Sequence, residues 1–158
     1  MRVTRLLAIG LILAIAASGC TTSEPSLKEA AAELQKDTQR LETDDVFKNP
    51  LKKLHILQRP DKDIPCGGEK VKRVLRATAD YARADQSLDS HLDQAERLME
   101  NTLSQILRYK VEYDISQLDA PEGRFIHGTK DAGVMVNVYV APEVPTWRLH
   151  AETACLPR

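Results

Sequence analysis

LDSHLDQAERLMENTLSQILRYKVEYDIS, residues 88–116, carries two hydrophobic periods in immediate succession, and the change from one to the other decides the fold class. Leu88, Leu92, Ala95, Met99, Thr102, Leu103 and Ile106 recur at helical spacing, while Asp89, Asp93, Gln94, Arg97, Glu100, Asn101 and Gln105 fall on the other side. Ser87 supplies an N-cap, and Asp89 in the first turn and Arg108 in the last complement the helix dipole. From Tyr109 the period drops to two. Tyr109, Val111, Tyr113 and Ile115 alternate with Lys110, Glu112, Asp114 and Ser116, as in a strand with one face on a core and one in water.

Downstream, Arg124–Thr129, Gly133–Ala141 and Thr146–Ala154 read as further strands, separated by the turn-rich segments 119–123, 130–132 and 142–145. In the last of them Trp147, Leu149, Ala151 and Thr153 share one side and Arg148, His150 and Glu152 the other. Consecutive strands on short loops predict an antiparallel meander. The Gly133–Ala141 strand is apolar on both sides, which fits a central strand, a contact surface or the lining of a lipophilic pocket.

Upstream, residues 69–82 fit two periods. Val71, Val74, Leu75, Thr78 and Tyr81 lie on a helix face, whereas Val71, Leu75, Ala77, Ala79 and Tyr81 lie on one side of a strand that Arg73 interrupts. We read a strand, because one starting after Cys66 and running antiparallel to one ending at Cys155 brings the two sulfurs to one edge. Asp44–Pro65, with Pro50, Pro60 and Pro65, reads as an irregular connector; within it Leu54–Leu57 is a short strand or an edge-packed segment. Before it, Ser26 and Glu29 form a capping box ahead of Leu27, Ala30, Ala31, Leu34, Thr38 and Leu41. That stripe is narrow and rich in alanine, so this helix is expected to bury little and to act as a tether or stalk, with a coiled-coil contact as the alternative.

The first residues give a location. Arg2 and Arg5 precede an apolar run from Leu6 to Ala17, shorter than the ~20 residues of a comfortable membrane span, and Ala17-Ser18-Gly19 are small residues directly before Cys20. This stretch resembles the type II signal peptide of bacterial lipoproteins, with Ala17 where leucine is more usual. The resemblance implies cleavage before Cys20 and diacylglycerol on its sulfur, and often a third chain on the new amine. Two or more chains anchor stably where one gives only reversible binding. The wider arrangement of lipobox, charged linker, Pro65-Cys66-Gly67-Gly68, helix, strand meander and terminal Glu152-Thr153-Ala154-Cys155-Leu156-Pro157 is similar to small, uncharacterised lipoproteins of high-GC Gram-positive bacteria; it implies location and fold and carries no activity.

With Cys20 lipidated in an exported protein, Cys66 and Cys155 remain and are predicted to close a disulfide rather than to stay free thiols. Chain entropy assigns so long a loop about 4 to 5 kcal/mol as an upper figure, against a small domain's net stability of about 5 to 15 kcal/mol. Gly67-Gly68 reads as a turn beside it, ahead of an anion-binding nest.

Composition narrows the function classes. A net charge of −1 with mixed signs and no basic stripe argues against nucleic acid, and 4% aromatic residues give few stacking platforms. There is no GxSxG, P-loop, HExxH or CxxC, and no GxGxxG following a strand. His150 and Glu152, with His127 or Asp131 from neighbouring strands, are secondary metal-ligand candidates; Glu143 and Glu152 have the chemistry of acid-base carboxylates, but with no predicted cleft they read as solvated surface. Pro142, Glu143, Pro145 and Trp147 make the best recognition loop, two prolines stiffening it beside a large anchor, although alternation points Trp147 into the core.

The expectation is an α+β protein: one main helix on an antiparallel sheet of about four to five strands, with a disulfide and an N-terminal tether helix. Residues 1–19 form the signal peptide, 20–65 the lipid anchor, tether helix and connector, and 66–158 the disulfide-closed domain. Expected function is a binding or interaction module on the extracytoplasmic face of the cell membrane. Its partners are membrane lipid through acylated Cys20 and a membrane or envelope protein, with no nucleic acid and no cofactor. An envelope hydrolase or metal-dependent enzyme on the sheet face is one alternative, a small lipophilic-ligand carrier another. The chain is too small for a two-lobed solute-binding lipoprotein.

Overall fold

In the computed structural model, residues 24–49, 52–112 and 122–158 are described. Cys20 and its leader, the strand residues 113–116 and most of the turn at 119–123 lie outside that range. Helices are α1 (Leu27–Thr43), α2 (Asp45–Lys48) and α3 (Leu88–Asn101). Strands are β1 (Leu54–Gln58), β2 (Ile64–Gly67), β3 (Lys70–Lys72), β4 (Val74–Ala79), β5 (Lys110–Glu112), β6 (Arg124–Lys130), β7 (Val134–Val140), β8 (Trp147–Thr153) and β9 (Leu156–Pro157).

The meander is present: β5, β6, β7 and β8 pair antiparallel in sequence order, and β4 then β1 extend them into a six-stranded sheet ordered β1-β4-β8-β7-β6-β5. Strands β2, β3 and β9 form a second, three-stranded sheet, so the strand count exceeds the expectation. Within residues 69–82 the structure has strands, β3 and β4, and no helix. Arg73 is the break between β3 and β4, where its N–H donates to Thr153 Oγ1 and its side chain reaches the Asp63 carboxylate at 2.6 Å. β4 runs antiparallel to β8, with Val74 opposite Glu152. Cys66 in β2 and Cys155 before β9 are bonded, their Cα atoms 6.0 Å apart. Gly67 and Gly68, with φ of 135° and 57°, make the tight β2–β3 turn that a side chain would strain.

One sheet face takes all the helices. Leu75, Ala77, Ala79, Val134, Val136, Val138, Val140, Ile126, Trp147, Leu149 and Ala151 are buried beneath them. Trp147 is 1% exposed, donates its indole N–H to the Ala95 carbonyl at 2.9 Å, stacks on Tyr81 and meets Phe47 edge-on. Alternation along β8 therefore decided the place of Trp147, and the recognition loop loses its anchor to the core.

The tether expectation is corrected. Helix α1 starts at the capping box, but Ala30, Leu34, Asp37, Thr38 and Leu41 are buried against the sheet. A narrow alanine-bearing stripe suits close approach to a flat sheet as well as it suits a stalk. The connector is corrected with it: Asp44–Pro65 holds α2 and the start of β2 as well as β1, the short strand expected at Leu54–Leu57, and the core begins at α1, not at Cys66. The main helix also ends earlier than its period suggests. After Asn101 the chain makes a π-helical turn, Thr102–Ile106, closed by Leu107 N–H to Thr102 carbonyl at 3.0 Å. The extra residue in that turn rotates Leu103 and Leu107 inward and leaves Ile106 39% exposed. Arg108 follows at φ 65° and lies outside the last turn of α3.

Candidate functional site

The opposite face of the six-stranded sheet has no covering layer among the described residues. Alternation places on it His55 and Leu57 of β1, Arg76 and Thr78 of β4, Arg148, His150 and Glu152 of β8, Met135, Asn137 and Tyr139 of β7, Phe125, His127 and Thr129 of β6, and Lys110 and Glu112 of β5. Leu57 is 66% exposed and Phe125 52%.

Register sorts these side chains into two cross-strand rows. In the first, Phe125, Tyr139, Arg148, Thr78 and His55 lie opposite one another in turn across five strands. The Phe125 and Tyr139 rings are 4.8 Å apart, and the Arg148 guanidinium lies 5.7 Å from the centre of the Tyr139 ring. In the second row are Glu112, His127, Asn137, His150 and Arg76. A 2.7 Å hydrogen bond joins His127 Nδ1 to Asn137 Oδ1. His150 holds Glu152 through Nε2 at 2.9 Å and accepts a long 3.4 Å contact from Arg76 Nε at Nδ1. Glu152 also takes Lys72 Nζ at 2.8 Å. Burial works against the Glu152 carboxylate, but these hydrogen bonds outweigh it and hold its pKa below the ordinary value.

His150 and Glu152 are thus together, while His127 stands across β7 from them, two strand spacings or about 10 Å away. Among the described residues no group of three or more histidine, cysteine, aspartate or glutamate side chains is placed to hold a metal. Pro142, Glu143, Val144 and Pro145 form the β7–β8 loop, with Glu143 and Val144 exposed.

A second charged cluster lies on the helix side, and nothing in the periodicity reading anticipated it. Lys130, at the end of β6, has a side chain 6% exposed that reaches Asp37 of α1 at 2.6 and 2.8 Å and Glu33 at 2.8 Å. Tyr109 donates to Asp37 at 2.8 Å, and the Lys130 ammonium lies 4.5 Å from the centre of its ring. Two acids share one ammonium. Burial pushes the Asp37 carboxyl above its ordinary pKa despite Lys130 and Tyr109, whereas the Lys130 hydrogen bond holds the less buried Glu33 below. Burial, with Asp37 beside it, pushes Tyr109 up as well, so the phenol stays a donor. This cluster is walled in by α1 and the sheet and fastens one to the other. A sequence signal existed: Asp37 stands between Leu34 and Leu41 on the buried stripe, where an acid demands a partner.

Among the described residues no helix is long and apolar enough to cross a membrane. Comparison of the chain with protein-family models, with curated proteins and with solved structures returns no match.

Proposed function

We propose that this chain is a lipid-anchored extracytoplasmic binding module and that the open face of its six-stranded sheet is the contact surface. The observation that carries the reading is asymmetry: every described helix packs on one face, while the other carries Phe125, Tyr139 and Arg148 side by side with no covering layer among the described residues beyond Glu122 and Gly123, which touch the Tyr139 ring. Aromatic and arginine side chains supply most of the energy at protein contacts, because they bury large area with little loss of rotamer freedom.

Anchor and face are compatible. Pro25 lies against Gly133 at the β6–β7 turn, where an added Cβ would come within 2.8 Å of its ring. The residues between Cys20 and Pro25 span at most about 18 Å. An acylated Cys20 would therefore keep that turn near the lipid headgroups. The aromatic row sits toward the other end of strands about 20 Å long, within reach of an envelope protein. A lipophilic carrier finds less support: between helices and sheet, the gap lined by Leu41, Phe47, Met99, Trp147 and Leu149 is about 10 Å³, roughly one water. The enzyme reading finds less support as well, since among the described residues no acid, base and nucleophile converge.

The test is site-specific photo-crosslinking on intact cells, with the probe at Phe125 or Tyr139 and, as control, at Gln35 on the exposed side of α1. One discrete adduct from the sheet positions and none from Gln35 supports the reading; equal capture from both removes it. Mass spectrometry of wild type and Cys20→Ala tests the anchor, which requires an acyl mass on Cys20 that the variant lacks.

A further inference from the structure

We infer that the open face binds an acidic extended polypeptide segment, its carboxylates held by Arg76 and Arg148. The inference deepens the binding-module reading and rests on it.

Charge and geometry both lead there. Among the strand residues of this face the acids are Glu112 and Glu152, and Glu152 is engaged by Lys72 and His150. Arg76 and Arg148 are exposed and have no carboxylate partner among the described residues; Arg76 makes the long contact to His150 and Arg148 lies over the Tyr139 ring. Elsewhere Arg73 takes Asp63 and Arg124 lies among Asp89, Asp93 and Glu96, while Arg40 and Arg97 are used on the backbone carbonyls of Ile106 and Asp93. Arg76 and Arg148 are set apart by being neighbours on a face with no covering layer among the described residues, where both hydrated guanidinium groups are free to take carboxylates of one ligand. Each offers a planar fork of donors that matches a carboxylate with two parallel bonds.

Their spacing selects the form of the ligand. Arg148 lies opposite Thr78, two residues along β4 from Arg76, so the two are diagonal neighbours, about 7 to 8 Å apart at their bases. Alternate side chains of an extended chain repeat at about 6.7 Å on one side. An acid-x-acid segment lying on the sheet therefore meets both forks, with Thr78 between them as a hydroxyl donor. Beyond Arg148, the exposed Phe125 ring offers an apolar contact for the next side chain, next to Tyr139, which is held by its hydroxyl on the Glu122 carbonyl and by Gly123 against its ring. A single phosphate matches this diagonal spacing less well than two carboxylates.

The experiment measures binding of the full chain, in nonionic detergent micelles, to a fluorescent peptide alternating glutamate with valine and ending in phenylalanine. The same peptide with glutamine for glutamate is the control. The glutamate peptide is expected to bind, the glutamine peptide to bind at least tenfold more weakly, and Arg76→Gln and Arg148→Gln each to cost about tenfold or more. Arg97→Gln on α3 should leave affinity unchanged. Unaltered thermal unfolding of the variants guards against loss of fold. Equal binding of both peptides overturns the inference. So does displacement of the peptide by inorganic phosphate at comparable concentration, or an Arg76- and Arg148-dependent preference for phosphatidylglycerol vesicles over the peptide. Sheet-face crosslinks combined with no acid preference would sink this inference alone; equal crosslinks from the helix side would sink the module reading itself.

Discussion

Lys130 on the helix side of the sheet and Lys72 near its open side each hold a carboxylate within 2.8 Å, and depth is what separates them. Asp37, the partner of Lys130, is 1% exposed; Glu152, the partner of Lys72, keeps 19% of its side chain in water. At the first site both charges have lost their hydration, so breaking the pair strands a charge in a low-dielectric interior. At the second, solvent screens the pair and can replace either partner. The same chemistry is therefore a structural clamp on one face and an adjustable surface on the other.

The sharpest way to break this comparison is Asp37→Ala, which should cost about 3 to 5 kcal/mol in urea unfolding, because Lys130 keeps only Glu33. Asp37→Leu combined with Lys130→Met should recover most of that loss; a double variant as unstable as the single one would mean that the cluster acts through something other than stranded charge. Next, reducing the disulfide should cost about 2 to 5 kcal/mol. Hydrogen exchange should show β3, which carries Lys72, losing protection before α1 does; simultaneous loss would show that the small sheet and the core open as one unit.

Proton titration should separate the two acids by sign. Glu152, held below its ordinary 4.5, adds stability that is fully present above that value and is lost as pH falls through its folded pKa. Asp37, raised above its ordinary 3.8, works the other way: the folded state takes up its proton more readily, so its contribution declines as pH rises through the folded value. Carboxyl NMR titrations should place the two midpoints on opposite sides of their reference values. Two depressed midpoints would overturn the account of the buried cluster. The smallest effect belongs to Glu152→Gln, at most about 1 kcal/mol at neutral pH. A loss comparable to that of Asp37→Ala would mean that the open face is not screened by water.

Much of the fold was legible where one period ruled a long segment. Strands β6, β7 and β8, the cap of α3 and the inward side of Trp147 all followed from alternation or spacing, because an antiparallel strand with one wet face writes its orientation into every second residue. Helix α1 was visible as a helix, but its role was not. Ala30, Leu34 and Leu41 look the same whether they face a sheet or a partner helix, and burial depends on what the rest of the chain presents. β1 was visible as the short apolar run Leu54–Leu57, whereas β2 was obscured by the prolines around it. The candidate site was half legible: Arg148, His150 and Glu152 were on the outward side from the start, while Arg76 joined them only once residues 69–82 resolved as strand.

From its residues alone, this chain determined its α+β class, its meander and the pairing of Cys66 with Cys155, since these rest on local period and on the count of available thiols. Tertiary structure alone decided that α1 belongs to the core, that Lys130 and Asp37 meet across 93 positions, and that Phe125, Tyr139, Arg148 and Arg76 gather on the sheet face opposite the described helices. Those juxtapositions come from strand order and register, which bring together side chains far apart along the chain, and no local period encodes which strand lies beside which.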